Sequence, residues 1–395
     1  MRTSILKTLT ALFICFALSL GSLFTPQDAQ AQTDYPDLLV ITTGGGGNPA
    51  VLRYDWLTMA SLGSFVPAGS GGLNSPFGMV FGPDENLYVA SYGTSRILRY
   101  ERKTGAFLGA FVTSGSGGLT SPRSLAFGPD GNLYVSSETC CSPSTWSILE
   151  YDGQSGAFLG VFVPNGSGGL SYTDSLLFGP DGNLYAFTTN MPRIVRYDGQ
   201  TGAFLGVFVD SFPCGSNCGP SQPFSMTFGL DGKLLVPVER FASPDNEGAV
   251  LRYDGQTGAF LDVFVPFGSG GLHYPSNLTI GPDRNIYVSS HKETMTESPR
   301  NGAVRRYDGQ TGDFLSLAVP PGFGGIRDAG AIVFMPVGAF GCVQLANQPL
   351  AGVAVDLKQP GKDGRQTTTT DLNGCYSFRS TTPSKGTITI ALPER

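Results

Sequence analysis

Short apolar runs alternating with turn residues fill most of this chain. One pattern recurs, in which two apolar runs flank a Pro-Asp-Gly type turn, as in FGPDGNLYV. Its copies are residues 81–89, 127–135, 178–185, 228–235 and 280–288. Proline presets φ, aspartate caps its own turn, and glycine accepts a positive φ. Each copy therefore predicts a β-hairpin, with the aspartate in a turn-capping rather than a metal-binding role.

A second marker runs beside the first. A tyrosine ends an apolar run and precedes an acid at Tyr54, Tyr100, Tyr151, Tyr197, Tyr253 and Tyr307. We expect these tyrosines to be half-buried between neighbouring units. A turn, a further apolar run and a link such as GSGGL follow. The clearest unit predicts four strands, a to d, at 123–127, 132–137, 147–151 and 157–163. Four strands in a repeat of about 40 to 50 residues are typical of a β-propeller blade.

The number of blades follows from the two ends of the repeat region. The strand c around Tyr54 has a strand b before it, at 38–42, but no strand a. A run with strand-a character, AIVF at 331–334, lies at the other end and has no strand b after it. We therefore predict an all-β, six-bladed propeller over 37–336, closed by N-terminal strands b, c and d together with the C-terminal strand a. Such a closure removes exposed sheet edges.

These repeats resemble two propeller families. The GPDGNLYV hairpins followed by a third strand are similar to NHL-repeat propellers and to the streptogramin lyase (virginiamycin B lyase-like) group, whose superfamily includes SMP-30/gluconolactonase-like enzymes. Residues 340–395 differ, with PLAGVAVDL at 349–357 and TTTTDLNGCYSF at 367–378. This segment resembles a carboxypeptidase regulatory-like (Cna B-type) module, which implies a small transthyretin-like β-sandwich.

The N-terminus reads as a secretory leader. Residues 1–31 combine basic Arg2 and Lys7, an apolar run over 9–24, and small residues at Ala29 and Ala31. A membrane anchor is the alternative, but the run is short for one. We therefore predict a signal peptide, export to the periplasm or the extracellular space, and no membrane span after cleavage.

Cysteine usage is consistent with export. The chain has seven cysteines, and only Cys15 lies in the leader. An even remainder in an exported chain suggests disulfides. Proximity favours a disulfide between Cys214 and Cys218 within one loop and another between Cys342 and Cys375 within the tail. The adjacent Cys140 and Cys141 would form a strained vicinal pair or pair with cysteines of another loop.

Charge narrows the classes of partner. The net charge is −6, and only 14% of the residues are charged. No basic run is present, so nucleic acid is not an expected partner.

The two histidines, His273 and His291, are too few for a His-based zinc site.

Function should lie where the repeats diverge. The start of strand a and the end of strand b share the face opposite the GPDGN turn. Unlike polar residues meet there, at the predicted mouth of the channel: Arg123, Glu138, Asp174, Glu239, Asn277 and His291. Long insertions on the same face are typical of ligand-holding loops.

Two functions fit this face. The first is a non-catalytic binding protein that uses the propeller face as a platform for an unknown protein or glycan partner at the cell surface. The second is a divalent-metal-dependent lyase or lactonase, in which Glu138, Asp174, Glu239 and Asn277 supply oxygen ligands for calcium or magnesium. His291 would then be its general acid or base. Such chemistry would resemble that of the lyase-like and gluconolactonase-like families. We favour the binding protein, for which no cofactor is required.

Overall fold

The computed structural model shows an all-β protein, with no α-helix among the residues that it describes. Those residues are 8–10, 16–18, 36–42, 49–139, 145–188, 192–212, 225–239, 247–291, 301–336, 339–345, 348–349, 353–358, 365–370, 375–378 and 387–391. No helix in these ranges is long and apolar enough to cross a membrane. The chain divides into two compact units, Asp37–Phe334 and Met1–Pro36 with Met335–Arg395.

The larger unit is a ring of six four-stranded antiparallel sheets, which confirms the predicted propeller. Two strands of the other unit, β1 (Thr8–Thr10) and β2 (Phe16–Leu18), come before it. Blade 1 contains β3 (Leu38–Thr42), β4 (Ala50–Tyr54) and β5 (Ser61–Val66). Blade 2 contains β6 (Pro76–Phe81), β7 (Leu87–Ser91), β8 (Arg96–Tyr100) and β9 (Phe107–Val112). Blade 3 contains β10 (Pro122–Phe127), β11 (Leu133–Thr139), β12 (Thr145–Tyr151) and β13 (Phe158–Val163).

The second half of the ring repeats this order. Blade 4 contains β14 (Ser175–Phe178), β15 (Leu184–Thr188), β16 (Arg193–Tyr197) and β17 (Phe204–Val209). Blade 5 contains β18 (Thr227–Phe228), β19 (Leu234–Glu239), β20 (Gly248–Tyr253) and β21 (Phe260–Val265). Blade 6 contains β22 (Pro275–Ile280), β23 (Ile286–Ser290), β24 (Ala303–Tyr307) and β25 (Phe314–Val319). The last strand of the ring, β26 (Ala329–Phe334), returns to blade 1.

Closure of the ring occurs as the sequence predicts. Strand β26 pairs antiparallel with β3, and Ile332 lies opposite Val40 in that register. The first strands of neighbouring blades pack side by side around the axis. The termini of the ring are therefore held in one sheet, and the ring has no gap between its first and last blades.

Short 3₁₀ turns in the links set the spacing between blades. They lie at Ser70–Gly72, Ser116–Gly118, Ser167–Gly169, Ser269–Gly271 and Phe323–Gly325, with a further one at Tyr92–Thr94. The middle glycine of the link turns has a positive φ, 61° at Gly71, and a Cβ there would lie 2.3 Å from the ring of Phe107. Glycine is therefore required by the backbone and by the aromatic ring that covers it.

The repeated aspartates cap their turns, as predicted. Asp130 accepts a bond from the backbone N–H of Asn132 at 3.1 Å, and its second oxygen accepts the hydroxyl of Tyr134 at 2.9 Å. The same pairing of turn and strand recurs at Asp84 with Tyr88 and at Asp181 with Tyr185.

The tyrosines that end each third strand are more buried than expected. Tyr100, Tyr151 and Tyr197 are fully buried rather than half-buried. Their hydroxyls reach carbonyls of the Gly-rich links, as in the 2.9 Å bond from Tyr100 to Ser70. The expectation was wrong because it left out this buried acceptor, which offsets the cost of enclosing the phenol.

Blade 1 departs from the repeat because no turn joins its first two strands. In blade 3 this turn is present and packs against Gly153, where an added Cβ would lie 1.7 Å from the carbonyl oxygen of Gly131 in the turn. Trp56 holds the position of Gly153 and packs edge-on against Phe334, with 5.4 Å between ring centroids. Its backbone N–H donates to Asp37, which also forms an ion pair with Arg53 at 2.7 Å.

The smaller unit has its own two sheets. Its further strands are β27 (Ala339–Leu345), β28 (Gln348–Pro349), β29 (Ala354–Lys358), β30 (Arg365–Thr369), β31 (Cys375–Phe378) and β32 (Thr387–Ala391). One sheet has the order β1-β32-β29-β30, and the other has β2-β27-β28 with β31 beside β27. The transthyretin-like sandwich and the cleavage of residues 1–31 stay predictions.

The predicted disulfides fall largely outside the described residues. Cys140, Cys141, Cys214 and Cys218 all lie there. In the tail, the backbone register of β27 and β31 places Cys342 opposite Cys375. The disulfide between these two stays a prediction.

We expect Trp56→Ala to destabilise the ring at its closure. Trp56 is 9% exposed, and truncation of a buried tryptophan costs about 3 to 5 kcal/mol. Urea unfolding measures the loss. Trp56→Phe, which keeps an aromatic ring against Phe334, serves as the control and should lose less. Equal stability of Trp56→Ala and the natural protein would show that the tryptophan does not hold the closure.

The acidic turns between the third and fourth strands should make stability depend on pH. The hydroxyl and then the backbone N–H of Thr201 hold the pKa of Asp198 below its ordinary value, and Ser155 does the same to Asp152. A depressed carboxyl pKa stabilises the fold above the unfolded pKa of about 3.9, and this contribution disappears as pH falls through the folded pKa. The Tm difference between the natural protein and Asp152→Asn/Asp198→Asn should be present at pH 7 and vanish in acid. A difference that is the same at every pH would contradict this account.

Candidate functional site

A cavity of about 1010 Å³ occupies the axis of the ring. The first strands of the blades form most of its wall, with apolar side chains such as Met79, Leu125 and Leu278. The residues at the start of these strands and at the end of the second strands add polar groups. The cavity therefore lies at the face on which the sequence predicts that the repeats diverge.

Five of the six predicted site residues line this cavity: Arg123, Asp174, Glu239, Asn277 and His291. The sixth, Glu138, lies on β11 opposite Trp146 of β12 and is half-buried beside Asp174. Its backbone carbonyl accepts the hydroxyl of Thr120. The structure thus gathers the predicted residues around one space, while the role of each stays a prediction.

Arg123 and Asp174 form the most enclosed ion pair of the site. The guanidinium Nη1 and the carboxylate Oδ1 are 2.9 Å apart, and the two side chains are 8% and 1% exposed. The other terminal nitrogen of Arg123 donates to the hydroxyl of Tyr172 at 2.7 Å. Because the partners lie on neighbouring blades, the pair fixes one edge of the cavity across a blade interface.

Aromatic rings surround the guanidinium. Its central carbon lies 4.5 Å from the ring centroid of Tyr172, 4.6 Å from Phe77, 5.1 Å from Tyr92 and 5.7 Å from Trp146. Each distance is within the range of a cation–π contact. We call these four rings, together with Arg123, Glu138 and Asp174, the Arg123 corner.

Several buried polar atoms in the Arg123 corner have no hydrogen-bond partner among the described residues. They are Nε of Arg123, Oδ2 of Asp174, Oε2 of Glu138 and Nε1 of Trp146. Two are acceptors and two are donors. Buried polar groups are normally bonded to protein or to an ordered molecule, so these four atoms are candidate contacts for one.

Burial sets the electrostatics of Asp174. Removal from water raises the pKa of this carboxyl above its ordinary value, Arg123 opposes the rise, and the nearby Glu138 reinforces it. A carboxylate in this position favours any added positive charge, because a cation would lower the cost of keeping it ionised.

The other predicted residues lie farther around the cavity wall. Glu239 ends β19 and is 4% exposed. The side-chain oxygen of Asn277 accepts the backbone N–H of Ile332 at 3.3 Å and so joins blade 6 to blade 1. The backbone N–H of His291 donates to the carbonyl of Tyr274 at 3.1 Å.

A metal ion requires ligands that converge. Among the described residues, no group of three or more His, Cys, Asp or Glu side chains is close enough to hold one. Glu138, Asp174 and Glu239 therefore form no such group, and the oxygen of Asn277 is already bonded within the ring. The calcium or magnesium site stays a prediction without a ligand cluster in this part of the chain.

The sequence reasoning missed Trp146, Tyr172 and Asp328. Tyr172 and Asp328 line the cavity at one repeat position, two residues after the link. Every described residue at this position has a positive φ: Ser75 at 46°, Ser121 at 44°, Tyr172 at 33°, Tyr274 at 44° and Asp328 at 43°. Such angles are uncommon for non-glycine residues, and their recurrence here makes the turn a feature of the repeat. Tyrosine or aspartate at a position that is serine in blades 2 and 3 is the signal that an alignment of the links would have found.

Comparison with known proteins gives the fold class. No family model matches the chain, and no curated protein sequence matches it. A chain of the nidogen/laminin complex is 16% identical, with 76% of this chain and 98% of that chain covered and a TM-score of 0.51. A Bacteroides caccae protein of unknown function is 13% identical over 76% of this chain and 99% of that chain, with a TM-score of 0.50.

A third structure is a catalytically inactive virginiamycin B lyase from Staphylococcus aureus with quinupristin. It is 12% identical over 91% of this chain and 97% of that chain, with a TM-score of 0.42. At such identities the likenesses concern the fold alone. The ring of six sheets and its axial cavity define a six-bladed β-propeller, the class that the repeats resemble.

The Arg123–Asp174 pair should behave as one unit in a double-mutant cycle. Arg123→Met leaves a buried carboxylate without its cation, and loss of one partner of a buried pair costs about 3 to 5 kcal/mol. Asp174→Asn added to Arg123→Met should recover most of that loss. Urea unfolding at pH 7 of the two single variants and the double variant gives the coupling free energy.

The stability loss of Arg123→Met should also depend on pH. In Arg123→Met the pKa of Asp174 should rise further, because burial is no longer opposed. A raised carboxyl pKa leaves stability intact below the unfolded pKa of about 3.9 and removes it as pH rises through the folded pKa. The penalty of Arg123→Met should therefore shrink as pH falls. Strictly additive variants with a pH-independent penalty would contradict the pairing.

Proposed function

We propose that this protein is an exported binding protein whose axial cavity receives a ligand at the Arg123 corner without converting it. One observation carries the proposal. Four buried polar atoms of Arg123, Glu138, Trp146 and Asp174 have no partner among the described residues. Arg123 and Asp174 line the large cavity, and Trp146 and Glu138 lie next to them. A bound molecule that supplies both donors and acceptors would satisfy them.

The energetics support an occupant at this place. An unbonded polar group in a protein interior costs about 1 to 3 kcal/mol, and more when it is charged. Four atoms of the Arg123 corner have this desolvation cost. The residues that carry them differ from the residues at the equivalent positions of other blades. Arg123, for example, stands where blade 2 has Phe77, and Asp174 where blade 6 has Ser276. Such divergence on a uniform scaffold is typical of a site rather than of the framework.

The rest of the ring supports a pre-formed site. The corner draws on blades 2, 3 and 4, whose strands are fixed by the buried tyrosines and by the turn aspartates. Rigid supports of this kind lower the conformational cost of binding. The ligand is a small molecule, or a group that projects into the cavity from a protein or glycan at the cell surface.

Intrinsic fluorescence tests the proposal because the chain has two tryptophans, one of which belongs to the site. Trp56→Phe leaves Trp146 as the sole reporter. A panel of small cations, anions, sugars and neutral amides should contain a compound that shifts Trp146 emission in a saturable way. The same compound should raise the Tm of the natural protein, since a ligand at 100 times its Kd stabilises a fold by about 2.7 kcal/mol.

A matched pair of variants locates the binding. Tyr172→Ser installs the residue that blades 2 and 3 carry at this positive φ and removes the hydroxyl that accepts from Arg123, so it should fold and weaken binding. Ser75→Ala changes the same repeat position on blade 2, where the side chain does not line the cavity, and should leave binding unchanged. Failure of every compound class, or equal effects of the two variants, would refute the proposal.

The same preparation tests the metal-dependent lyase or lactonase. We expect binding to be unchanged after treatment with EDTA, and mass spectrometry to recover the ligand intact after incubation. Loss of binding on metal removal, or release of a cleaved or ring-opened product, would replace the binding function with the enzymatic one.

A further inference from the structure

The cavity wall carries more negative than positive charge. Asp174, Glu239 and Asp328 line it and are 5%, 4% and 3% exposed, and Glu138 stands beside Asp174. Among the described lining residues, Arg123 is the sole fixed cation, and it already binds Asp174. Carboxylates enclosed in this way are stabilised by an added positive charge at short range.

The arrangement of these carboxylates does not suit an inorganic ion. No three of the described acids and histidines are close enough to share a metal, although three acids line one cavity. A cation of molecular size can reach the separate free oxygens of Asp174 and Glu138, because its N–H groups are spread over a frame. The apolar wall formed by Met79, Leu125 and Leu278 would cover that frame.

The corner already holds one guanidinium in this manner. The Arg123 side chain combines an ion pair with Asp174, a hydrogen bond to Tyr172 and contacts with aromatic faces. The carboxylate atoms left over, Oδ2 of Asp174 and Oε2 of Glu138, are acceptors without a described partner. They are the atoms that a second cation would use.

The unpartnered donors of the Arg123 corner require that the ligand also carry a hydrogen-bond acceptor. Nε of Arg123 and Nε1 of Trp146 have no acceptor among the described residues, and Trp146 is 2% exposed. A simple polyamine offers donors alone and would leave both unsatisfied. A ligand that carries a carbonyl oxygen close to its cationic group satisfies donors and acceptors together.

We infer that the cavity takes an ammonium or guanidinium group with a carbonyl acceptor near it, the chemistry of a lysyl or arginyl unit. This inference rests on the proposed function and names the ligand class of the same site. The cationic group binds the free oxygens of Asp174 and Glu138, and the carbonyl accepts from Trp146 and Arg123. Free amino-acid derivatives and exposed basic side chains of a partner protein share this chemistry.

The test uses probes that differ only in charge. Acetyl-arginine methylamide is titrated against the full chain carrying Trp56→Phe and compared with acetyl-citrulline methylamide, its neutral isostere. We expect the arginine probe to bind at least about tenfold more tightly, because hydrogen bonds to charged groups are the stronger ones. Added salt should weaken the arginine probe and leave the citrulline probe unchanged. Spermidine, which lacks the carbonyl, should bind more weakly than the arginine probe.

Two variants localise the effect. Asp174→Asn and Glu138→Gln should each weaken the arginine probe by about tenfold to a hundredfold, while Asp210→Asn, an acid with a side chain 72% exposed and away from the cavity, should not. Glu138→Gln leaves the Arg123–Asp174 pair intact, so it remains informative if Asp174→Asn fails to fold. The peptide acetyl-Gly-Arg-Gly-amide separates the sources: tighter binding than the single residue indicates a partner protein, and equal binding indicates a free small molecule.

The outcomes separate the two claims. Equal or tighter binding of acetyl-citrulline methylamide or of a neutral sugar would overturn the cationic ligand and leave the binding function standing. Binding that persists in both Asp174→Asn and Glu138→Gln would also overturn it. The absence of binding by every probe, in fluorescence and in thermal shift, would overturn both.

Discussion

In five of the six blades, the phenol of the tyrosine at the end of the third strand donates to a carbonyl of the link that leads into the same blade. The exception is Tyr253 of blade 5, whose hydroxyl has no such partner among the described residues. Tyr100, Tyr151 and Tyr197 do so within contiguous stretches of chain. Tyr54 makes the identical bond to Phe323 at 2.8 Å, although the two residues come from opposite ends of the ring. Because these aromatic rings are buried and their hydroxyls are bonded, the contact fixes how five of the blades meet the link before them.

Closure follows from the same contact and from one substitution in the repeat. Blade 1 lacks a turn between its first two strands, so the space that lies under that turn in the other blades, where blades 3 to 6 have a glycine, is open in blade 1. Trp56 occupies the space, and Asp37 takes the place of the missing turn carboxylate by pairing with Arg53. Local chemistry thus compensates for a break in the covalent chain, and the six sheets keep equivalent positions.

The sequence predicted the ring well because its signals are local and repeated. Turn chemistry fixed the hairpins, and the unmatched strands at the two ends fixed the number of blades. It also placed Arg123, Asp174 and Glu239 on the wall of one cavity, since equivalent strand ends must share a face. It did not find Trp146 or Tyr172, which depend on contacts across blades. The burial of the tyrosines was likewise set by a partner some thirty to forty residues away, as with Tyr151 and Ser116.

A uniform scaffold makes departures from the repeat informative. The Arg123 corner departs in charge, in aromatic content and in the residue held at positive φ, and it holds four of the buried polar atoms that lack described partners. The residues with these properties lie on blades 2 to 4, and Phe77, Arg123, Tyr172 and Asp174 among them line one cavity. The physical account is therefore that a pre-formed ring holds an incomplete polar cluster, which a bound molecule completes.

A high-resolution crystal structure of the protein soaked with acetyl-arginine methylamide tests this central claim most directly. The account predicts ligand atoms about 2.7 to 3.2 Å from Oδ2 of Asp174, Oε2 of Glu138 and Nε1 of Trp146. Density for isolated waters alone, or protein groups that already bond all of these atoms, would contradict it.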